Sequence, residues 1–296
     1  ILWFFNLLIM YKYTNKIRIT FFLPNFNLGG AAESIVKLAE FLSKKDYSIL
    51  IISIGKNFYK KKLKLFGCEL IELNSSRALF SIFKIRKIIT DENLKKYSKT
   101  IFISNIHYSN IVSILSCIGL SKIKLILTER SSLSELLIYS NFIKFLKNSL
   151  IYFLAKKLYS YSDLIITNSN FEKKYIKKYL KLKNVLSIHP PSLNKINVKY
   201  RPTKKKTKII FVGRLSEEKG LDIIIKALGE LRNFKNYEFK IYGNGNFKSK
   251  LLSLIYKLKL NDKIHFCDFE KNKNKIFKNA DLFINASHFE GLPNAL

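Results

Sequence analysis

Short apolar runs alternate with amphipathic stretches along most of the chain. The runs in the first part are rich in β-branched residues, which is typical of buried strands. They are IRITFFL (17–23), SILIISI (48–54), CELIEL (68–73), TIFIS (100–104), IKLILTE (123–129) and LIITNS (164–169). The stretches between them carry apolar residues at helical spacing, as Ile35, Leu38 and Leu42 do in AAESIVKLAEFLSKK. This alternation predicts an α/β fold whose parallel strands are covered on both faces.

The alternation stops at HPPSLNKINVKYRPTKKKTK (189–208), where three prolines and a lysine cluster are typical of a linker. It starts again with KIIFVG (208–213), YEFKIYG (237–243), KIHFCDF (263–269) and DLFINAS (281–287). We therefore predict two doubly wound, Rossmann-like domains at residues 10–190 and 208–296, joined by a linker at 191–207. The strand ends of the two domains are expected to face a cleft.

Composition limits the classes of partner. The 296 residues are 48% hydrophobic and 14% aromatic, which excludes a disordered chain and allows two cores. The formal net charge of +32 favours anionic partners: nucleic acid, anionic lipid head groups or phosphorylated substrates. Because the chain is also rich in Ile and Asn, which is typical of A/T-biased coding, we give this charge about half of its weight as functional evidence. No helix-turn-helix signal, zinc spacing or RNA-binding aromatic motif stands in the sequence, so we expect no nucleic-acid partner.

Cysteine usage and the apolar opening bear on compartment. Cys68, Cys117 and Cys267 lie far apart without metal-ligand spacing, so we expect no metal site and a reducing, cytoplasmic environment. The opening ILWFFNLLI is too short to span a bilayer, and we interpret it as upstream sequence.

Residues 136–162, LLIYSNFIKFLKNSLIYFLAKKLYSYS, combine four lysines and many aromatic residues with no acidic residue. One interpretation is a helix that lies on an anionic membrane surface, on its inner face. The other is a buried domain helix whose lysines extend to solvent. The sequence leaves both open.

Three predicted strand-to-helix corners carry glycine. Gly29 and Gly30 precede a helix, where they serve either a tight turn or an anion at the helix N-terminus. The corner VGRLSEEKG brings Gly213 together with Arg214 and Lys219. An arginine fork and a mobile lysine suit a diphosphate. The alternative is that both residues are solvated surface cations. The corner YGNG contains Gly243 and Gly245.

Polar side chains follow other predicted strands. Glu290 lies in the tail NASHFEGLPNAL, where it would accept hydrogen bonds from sugar hydroxyls or cap a helix. SNIHYSN contains Asn105 and His107, and LTERSS contains Glu129 and Arg130. His107 and Glu129 are candidate catalytic residues, although a histidine after a strand is often only a hydrogen-bonded loop residue.

In this order, GGAAE, VGRLSEEKG, YGNG and ADLFINASHFEGLPNAL resemble the retaining glycosyltransferases of family 4, which have the two-domain GT-B architecture. The resemblance covers essentially the whole chain and is strongest over 208–296. The family's glutamate pair is written E-x7-E, and the chain stops two positions before the second glutamate would come. The resemblance therefore implies an incomplete second domain.

The resemblance also implies site residues. Arg214 and Lys219 would hold the diphosphate of a nucleotide-sugar, and Glu290 would lie beside the transferred sugar as a catalytic residue. The remaining expected donor-binding residues are Gly29, Gly30, Gly213, Gly243, Gly291, Leu292 and Asn294. His107 and Glu129 would belong to the catalytic side of the first domain.

The implied reaction is transfer of a hexosyl group with retention. The donor would be UDP- or GDP-linked, the acceptor a glycan or a lipid-linked glycan, and neither metal nor cofactor would be needed. The product would be a cell-surface polysaccharide or glycolipid. Two alternatives remain open: a nucleotide-sugar epimerase of the same architecture and a basic polyanion-binding protein.

Overall fold

The chain divides into two compact units, residues 1–190 and residues 191–296. The computed structural model describes residues 17–26, 30–45, 47–75, 78–91, 97–138, 141–189, 206–231, 234, 236–267, 270, 273–278 and 280–288. Most of the predicted linker, and all of the opening segment 1–9, lie outside the described residues.

In the described part of the first unit, seven strands form one parallel sheet in the order β3-β2-β1-β4-β5-β6-β7. The strands are β1 Ile17–Phe22, β2 Ser48–Ser53, β3 Glu69–Glu72, β4 Lys99–Asn105, β5 Ile123–Glu129, β6 Leu164–Thr167 and β7 Val185–Ser187. The order reverses between β1 and β4. This reversal is a topological switch point, where ligands of open parallel sheets bind at the carboxyl ends of the strands.

Helices cover both faces of this sheet. They are α1 Gly30–Ser43, α2 Lys60–Leu65, α3 Ser81–Thr90, α4 His107–Cys117, α5 Phe142–Leu158 and α6 Asn170–Tyr175. Successive strand residues point to opposite faces, so Phe21 packs with Ile35 of α1 while Phe22 packs with Ile85 of α3. Each such fully buried apolar side chain contributes roughly 1.5–3 kcal/mol.

The second unit repeats the plan on a smaller scale. Its described strands form a four-stranded parallel sheet in the order β10-β9-β8-β11. They are β8 Thr207–Val212, β9 Tyr237–Tyr242, β10 Ile264–Cys267 and β11 Leu282–Phe283. The helices are α7 Leu221–Glu230, α8 Lys248–Lys257 and α9 Lys273–Lys278. Here the strand order reverses between β8 and β11, which makes a second switch point.

The α/β fold with parallel sheets is confirmed, with local differences. Strand β7 was not predicted, because three residues beside a polar loop give too little pattern. The predicted strand 281–287 is reduced to Leu282–Phe283, since only these residues pair with β8. Of the described helices, none is both long and apolar enough to cross a membrane.

Candidate functional site

In the second unit, the corners that follow β8 and β9 meet backbone to backbone. A Cβ atom on Gly243 would overlap the carbonyl oxygen of Gly213, and one on Gly245 would overlap that of Leu215. The amide of Leu215 donates to the carbonyl oxygen of Asn244 at 3.0 Å. Only glycine fits at these two positions, so the corners are held in one close-packed arrangement.

The loop after β8 also packs against the end of β11. Gly220 has φ +62°, in the left-handed region, and a Cβ atom there would overlap the carbonyl oxygen of Ala286. The amide of His288 donates to the carbonyl oxygen of Glu218 at 2.9 Å. The loop that carries Arg214 and Lys219 is therefore fixed at the switch point between β8 and β11, where a ligand is expected.

Arg214 points into solvent from this loop. Its side chain is 73% exposed, and its Nη2 atom lies 3.4 Å from Oε1 of Glu218. Burial disfavours the charged carboxylate of Glu218, but a hydrogen bond from Ser216 and the charges of Arg214 and Lys219 keep its pKa below its ordinary value. An exposed ion pair of this kind is weak. A phosphate can therefore replace the carboxylate of Glu218 on the Arg214 guanidinium, or bind the guanidinium beside it.

Some of the predicted site residues lie outside the described residues. These are the predicted catalytic residue Glu290 and the predicted donor-binding residues Gly29, Gly291, Leu292 and Asn294. Gly30 is the first residue of α1. The structure thus brings together Gly213, Arg214, Lys219 and Gly243, and adds Gly220 and Gly245 as positions where only glycine fits.

In the first unit, His107 begins α4 directly after β4. Ile106, which joins the two elements, has φ +80°. A β-branched residue in this region is strained by about 1–3 kcal/mol, and such strain is concentrated at functional sites. His107 is 7% exposed, so the strained turn holds a nearly buried imidazole at the carboxyl edge of the sheet.

Both ring nitrogens of His107 have a polar neighbour. Its Nδ1 atom pairs with the carboxylate of Glu129, the last residue of β5. Its Nε2 atom lies 3.0 Å from Oγ of Ser131. The opposite oxygen of Glu129 accepts hydrogen bonds from Nδ2 of Asn110, at 2.8 Å, and from the hydroxyl of Tyr159. The imidazole therefore has one orientation, with the carboxylate behind it.

Burial and charge compete in this cluster. Burial disfavours the charged form of His107, but the Glu129 carboxylate and its hydrogen bond outweigh burial, and the pKa of His107 is raised. Burial, followed by the Glu129 charge, raises the pKa of Tyr159 well above its ordinary value. Tyr159 therefore stays neutral and donates its proton, and Nδ1 of His107 keeps its proton against Glu129. Nε2, on the Ser131 side, is the ring nitrogen that does not face the carboxylate.

Sequence reasoning predicted His107 and Glu129 but missed Asn110, Ser131 and Tyr159. Asn110 follows His107 by three residues on a helix, so helical spacing could have found it. Tyr159 is 30 residues from Glu129 along the chain, and no local signal indicates their contact. Glu129 is 1% exposed, so it can act on a substrate only through His107.

The chain is similar in sequence to known glycosyltransferases. Residues 194–296 match the family model described as Glycosyl transferases group 1. The chain is 28% identical over 291 residues to a GalNAc-α-(1→4)-GalNAc-α-(1→3)-diNAcBac-PP-undecaprenol α-1,4-N-acetyl-D-galactosaminyltransferase of Campylobacter jejuni, covering 95% of this chain and 76% of the relative. It is 30% identical over 234 residues to an uncharacterized glycosyltransferase of Methanocaldococcus jannaschii, covering 72% of this chain and 55% of the relative.

Solved structures share the fold. A glycosyltransferase from Rickettsia africae aligns with a TM-score of 0.67 at 22% identity, over 92% of this chain and 73% of the other. HepE of Anabaena, solved in complex with UDP and glucose, aligns with a TM-score of 0.67 at 15% identity, over 91% of this chain and 74% of the other. The chain belongs to the group 1 glycosyl transferases, family 4 of the glycosyltransferases, with an α/β fold of the GT-B type.

Proposed function

We propose that this glycosyltransferase moves a hexosyl group, with retention and without a metal ion, from a UDP-sugar to a lipid-linked glycan. The observation that carries the proposal is the loop of Arg214 and Lys219. It is fixed by Gly220 and Gly245 at the switch point of the second sheet, and Arg214 is exposed there with only a weak partner. Two cations on a rigid corner match the two phosphates of a nucleotide-diphosphate sugar.

The proposed mechanism is electrostatic at the leaving group. As the glycosidic bond to the donor breaks, negative charge develops on the departing diphosphate and positive charge on the sugar ring. Arg214 and Lys219 stabilise the first, and Glu290 is proposed to stabilise the second. The amides of Leu292 and Asn294 and the glycines Gly29, Gly30, Gly213, Gly243 and Gly291 are the other proposed donor contacts.

His107 is the proposed catalytic group of the first unit, with Glu129 as the residue that positions it. Because Glu129 and Tyr159 hold the Nδ1 side, Nε2 can exchange its contact with Ser131 for one with a sugar hydroxyl. A histidine in this state can donate or accept a proton near neutral pH.

The choice of donor and acceptor rests on relatives. One relative from Campylobacter jejuni is named as acting on a PP-undecaprenol-linked glycan, and a second as acting on a diphospho-undecaprenol-linked one. HepE was solved with UDP and with UDP-glucose. These names favour UDP over GDP and a lipid-linked acceptor over a free glycan, in the synthesis of a cell-surface polysaccharide or glycolipid.

A lipid-linked acceptor requires a protein that reaches a membrane, and α5 has a suitable surface. We define the outward face of α5 by its exposed apolar residues, which are Phe142, Ile143, Leu146, Leu150 and Phe153. Lys147, Lys156 and Lys157 lie on the same side and are also exposed. An apolar stripe with flanking lysines is typical of a helix that lies in an anionic interface. We propose that this face binds the inner surface of the membrane.

Donor binding tests the proposal. Titration calorimetry with UDP should give a measurable dissociation constant for the wild-type protein, and Arg214→Ala or Lys219→Ala should weaken binding by about 1.5–3 kcal/mol each. Lys226→Ala is the matched control, because Lys226 pairs with Asp222 on the surface of α7 of the same unit. If both loop variants bind UDP as tightly as wild type, the proposed diphosphate site is wrong. Release of UDP from a UDP-sugar without acceptor would favour the epimerase alternative.

A further inference from the structure

Arg130 is the first residue after β5 and lies half-buried at the carboxyl edge of the first sheet. Its Nε and Nη2 atoms donate to Oδ1 of Asn105, at 3.3 and 3.2 Å. The carbonyl oxygen of Arg130 accepts from Nδ2 of Asn168 at 2.8 Å. Both the side chain and the backbone of Arg130 are thus held in place.

Asn105 fixes where the guanidinium lies. It is the last residue of β4, and its Nδ2 atom donates to the carbonyl oxygen of Phe22, the last residue of β1, at 3.4 Å. Its Oδ1 atom also accepts from Oγ1 of Thr128 at 2.7 Å. Since β1 and β4 flank the switch point of the sheet, Arg130 is anchored at the place where parallel sheets bind ligands.

The charge of Arg130 has no carboxylate partner among the described residues, none of which brings an Asp or Glu oxygen within ion-pair distance of it. Its neighbour Glu129 is occupied by His107, Asn110 and Tyr159. Burial lowers the pKa of Arg130. A guanidinium that is held by one amide oxygen keeps its charge and further N–H donors for an anion.

We propose that Arg130 binds a phosphate group of the acceptor, the diphosphate that joins the glycan to its lipid. This inference rests on the proposed function, because it assumes a lipid-linked acceptor. The Nη1 atom of Arg130 makes no hydrogen bond to the described residues, which leaves donors for a phosphate oxygen. The donor's diphosphate has its own proposed cations, Arg214 and Lys219, in the second unit.

The test uses the whole protein and two probes, farnesyl diphosphate and UDP, in titration calorimetry. Arg130→Gln removes the charge but keeps a donor for Asn105, and Arg130→Lys keeps the charge without the fork. We expect Arg130→Gln to weaken farnesyl diphosphate binding by about 10- to 100-fold and Arg130→Lys to weaken it less, with UDP binding unchanged in both. Farnesol, which lacks the diphosphate, should bind wild type and variants alike.

Arg86→Met is the control. Arg86 also lies in the first unit, but it donates to the carbonyl oxygens of Ser116 and Ile118 at the end of α4. Three outcomes overturn the proposal: no binding of farnesyl diphosphate to wild type, equal binding to Arg130→Gln, or a loss of UDP affinity as large as the loss for farnesyl diphosphate. The last would assign Arg130 to the donor. The proposed function is tested by different measurements, the UDP titrations of the Arg214 and Lys219 variants. Failure of the Arg130 proposal therefore leaves the result of those titrations unchanged.

Discussion

The ammonium nitrogen of Lys157 lies 5.9 Å from the centre of the Phe153 ring on the outward face of α5. A cation and an aromatic ring that share one exposed patch can bind lipid head groups and acyl chains together. We predict that the protein sediments with anionic vesicles, and that Leu150→Ser combined with Phe153→Ser lowers this binding at least tenfold, because each apolar side chain contributes about 1.5–3 kcal/mol on burial.

Leu65→Ser is the matched control for the outward face. Leu65 is 85% exposed on the lysine-rich helix α2, so its loss removes a similar apolar area elsewhere. Added salt should release the wild-type protein, since each nearby lysine contributes about 1 kcal/mol at an anionic surface. Equal sedimentation of the double variant and wild type would exclude α5 as the membrane-binding face.

The corner glycines make a separate prediction. Because a side chain on Gly243 would overlap the backbone of Gly213, Gly243→Ala should displace the loop of Arg214. We expect a loss of about 1–3 kcal/mol in stability from backbone strain alone, together with weaker UDP binding. In Gly55→Ala the new Cβ atom would lie 3.7 Å from Oδ1 of Asn25, an ordinary contact. This control should change neither quantity, as measured by urea denaturation and calorimetry. A Gly243→Ala protein with wild-type stability and UDP affinity would contradict the close packing.

Tyr159 is predicted to stabilise the first unit through its hydroxyl. Tyr159→Phe leaves the buried Glu129 with fewer donors, and losing a hydrogen bond to a buried charge costs about 1–3 kcal/mol of the free energy of unfolding. Tyr161→Phe is the control, because Tyr161 is 60% exposed and should have little effect. Urea denaturation followed by circular dichroism measures both variants. Similar unfolding free energies for the two would show that the hydroxyl is dispensable.

His107 is predicted to titrate above its ordinary pKa of 6.5. A raised pKa in the folded state means that protonated His107 stabilises the fold. This stabilisation is complete below about pH 6.5 and is lost as pH rises through the folded value. NMR titration of the histidine ring signals, with His107→Gln to assign the resonance, should give a midpoint above 6.5. The difference in unfolding free energy between wild type and His107→Gln should shrink as pH rises. A midpoint at or below 6.5 would show that His107 and Glu129 do not form an ion pair in solution.

Glu290 lies outside the described residues, and its role is a prediction from sequence. If it stabilises positive charge on the sugar, Glu290→Gln should lower turnover by roughly ten- to a thousandfold with UDP affinity nearly unchanged. If it only caps a helix, the amide oxygen of the glutamine can accept the same hydrogen bonds as the carboxylate, and turnover should stay at the wild-type level. Glu230→Gln, at the exposed end of α7, is the control. An equal loss of turnover and UDP affinity would instead indicate a binding or folding residue.

Part of the site could be predicted because its signals are local. The glycines and cations after β8 stand within a few residues of a strand end, and the parallel sheet brings such ends to one edge. The contacts that give these residues their geometry are not local. Gly220 meets Ala286, and Gly243 meets Gly213, and neither pairing can be read from either segment alone.

The alternation of strands and helices follows from the sequence alone, because apolar residues recur at a period of two within each strand and of 3.6 within each helix. The order of the strands, and with it the position of the two switch points, becomes visible only in the folded protein. The fold also brings the hydroxyl of Tyr159 to Glu129 and the guanidinium of Arg130 to Asn105. It leaves the apolar face of α5 exposed. Each of these depends on contacts between residues far apart in the chain, which periodicity does not encode.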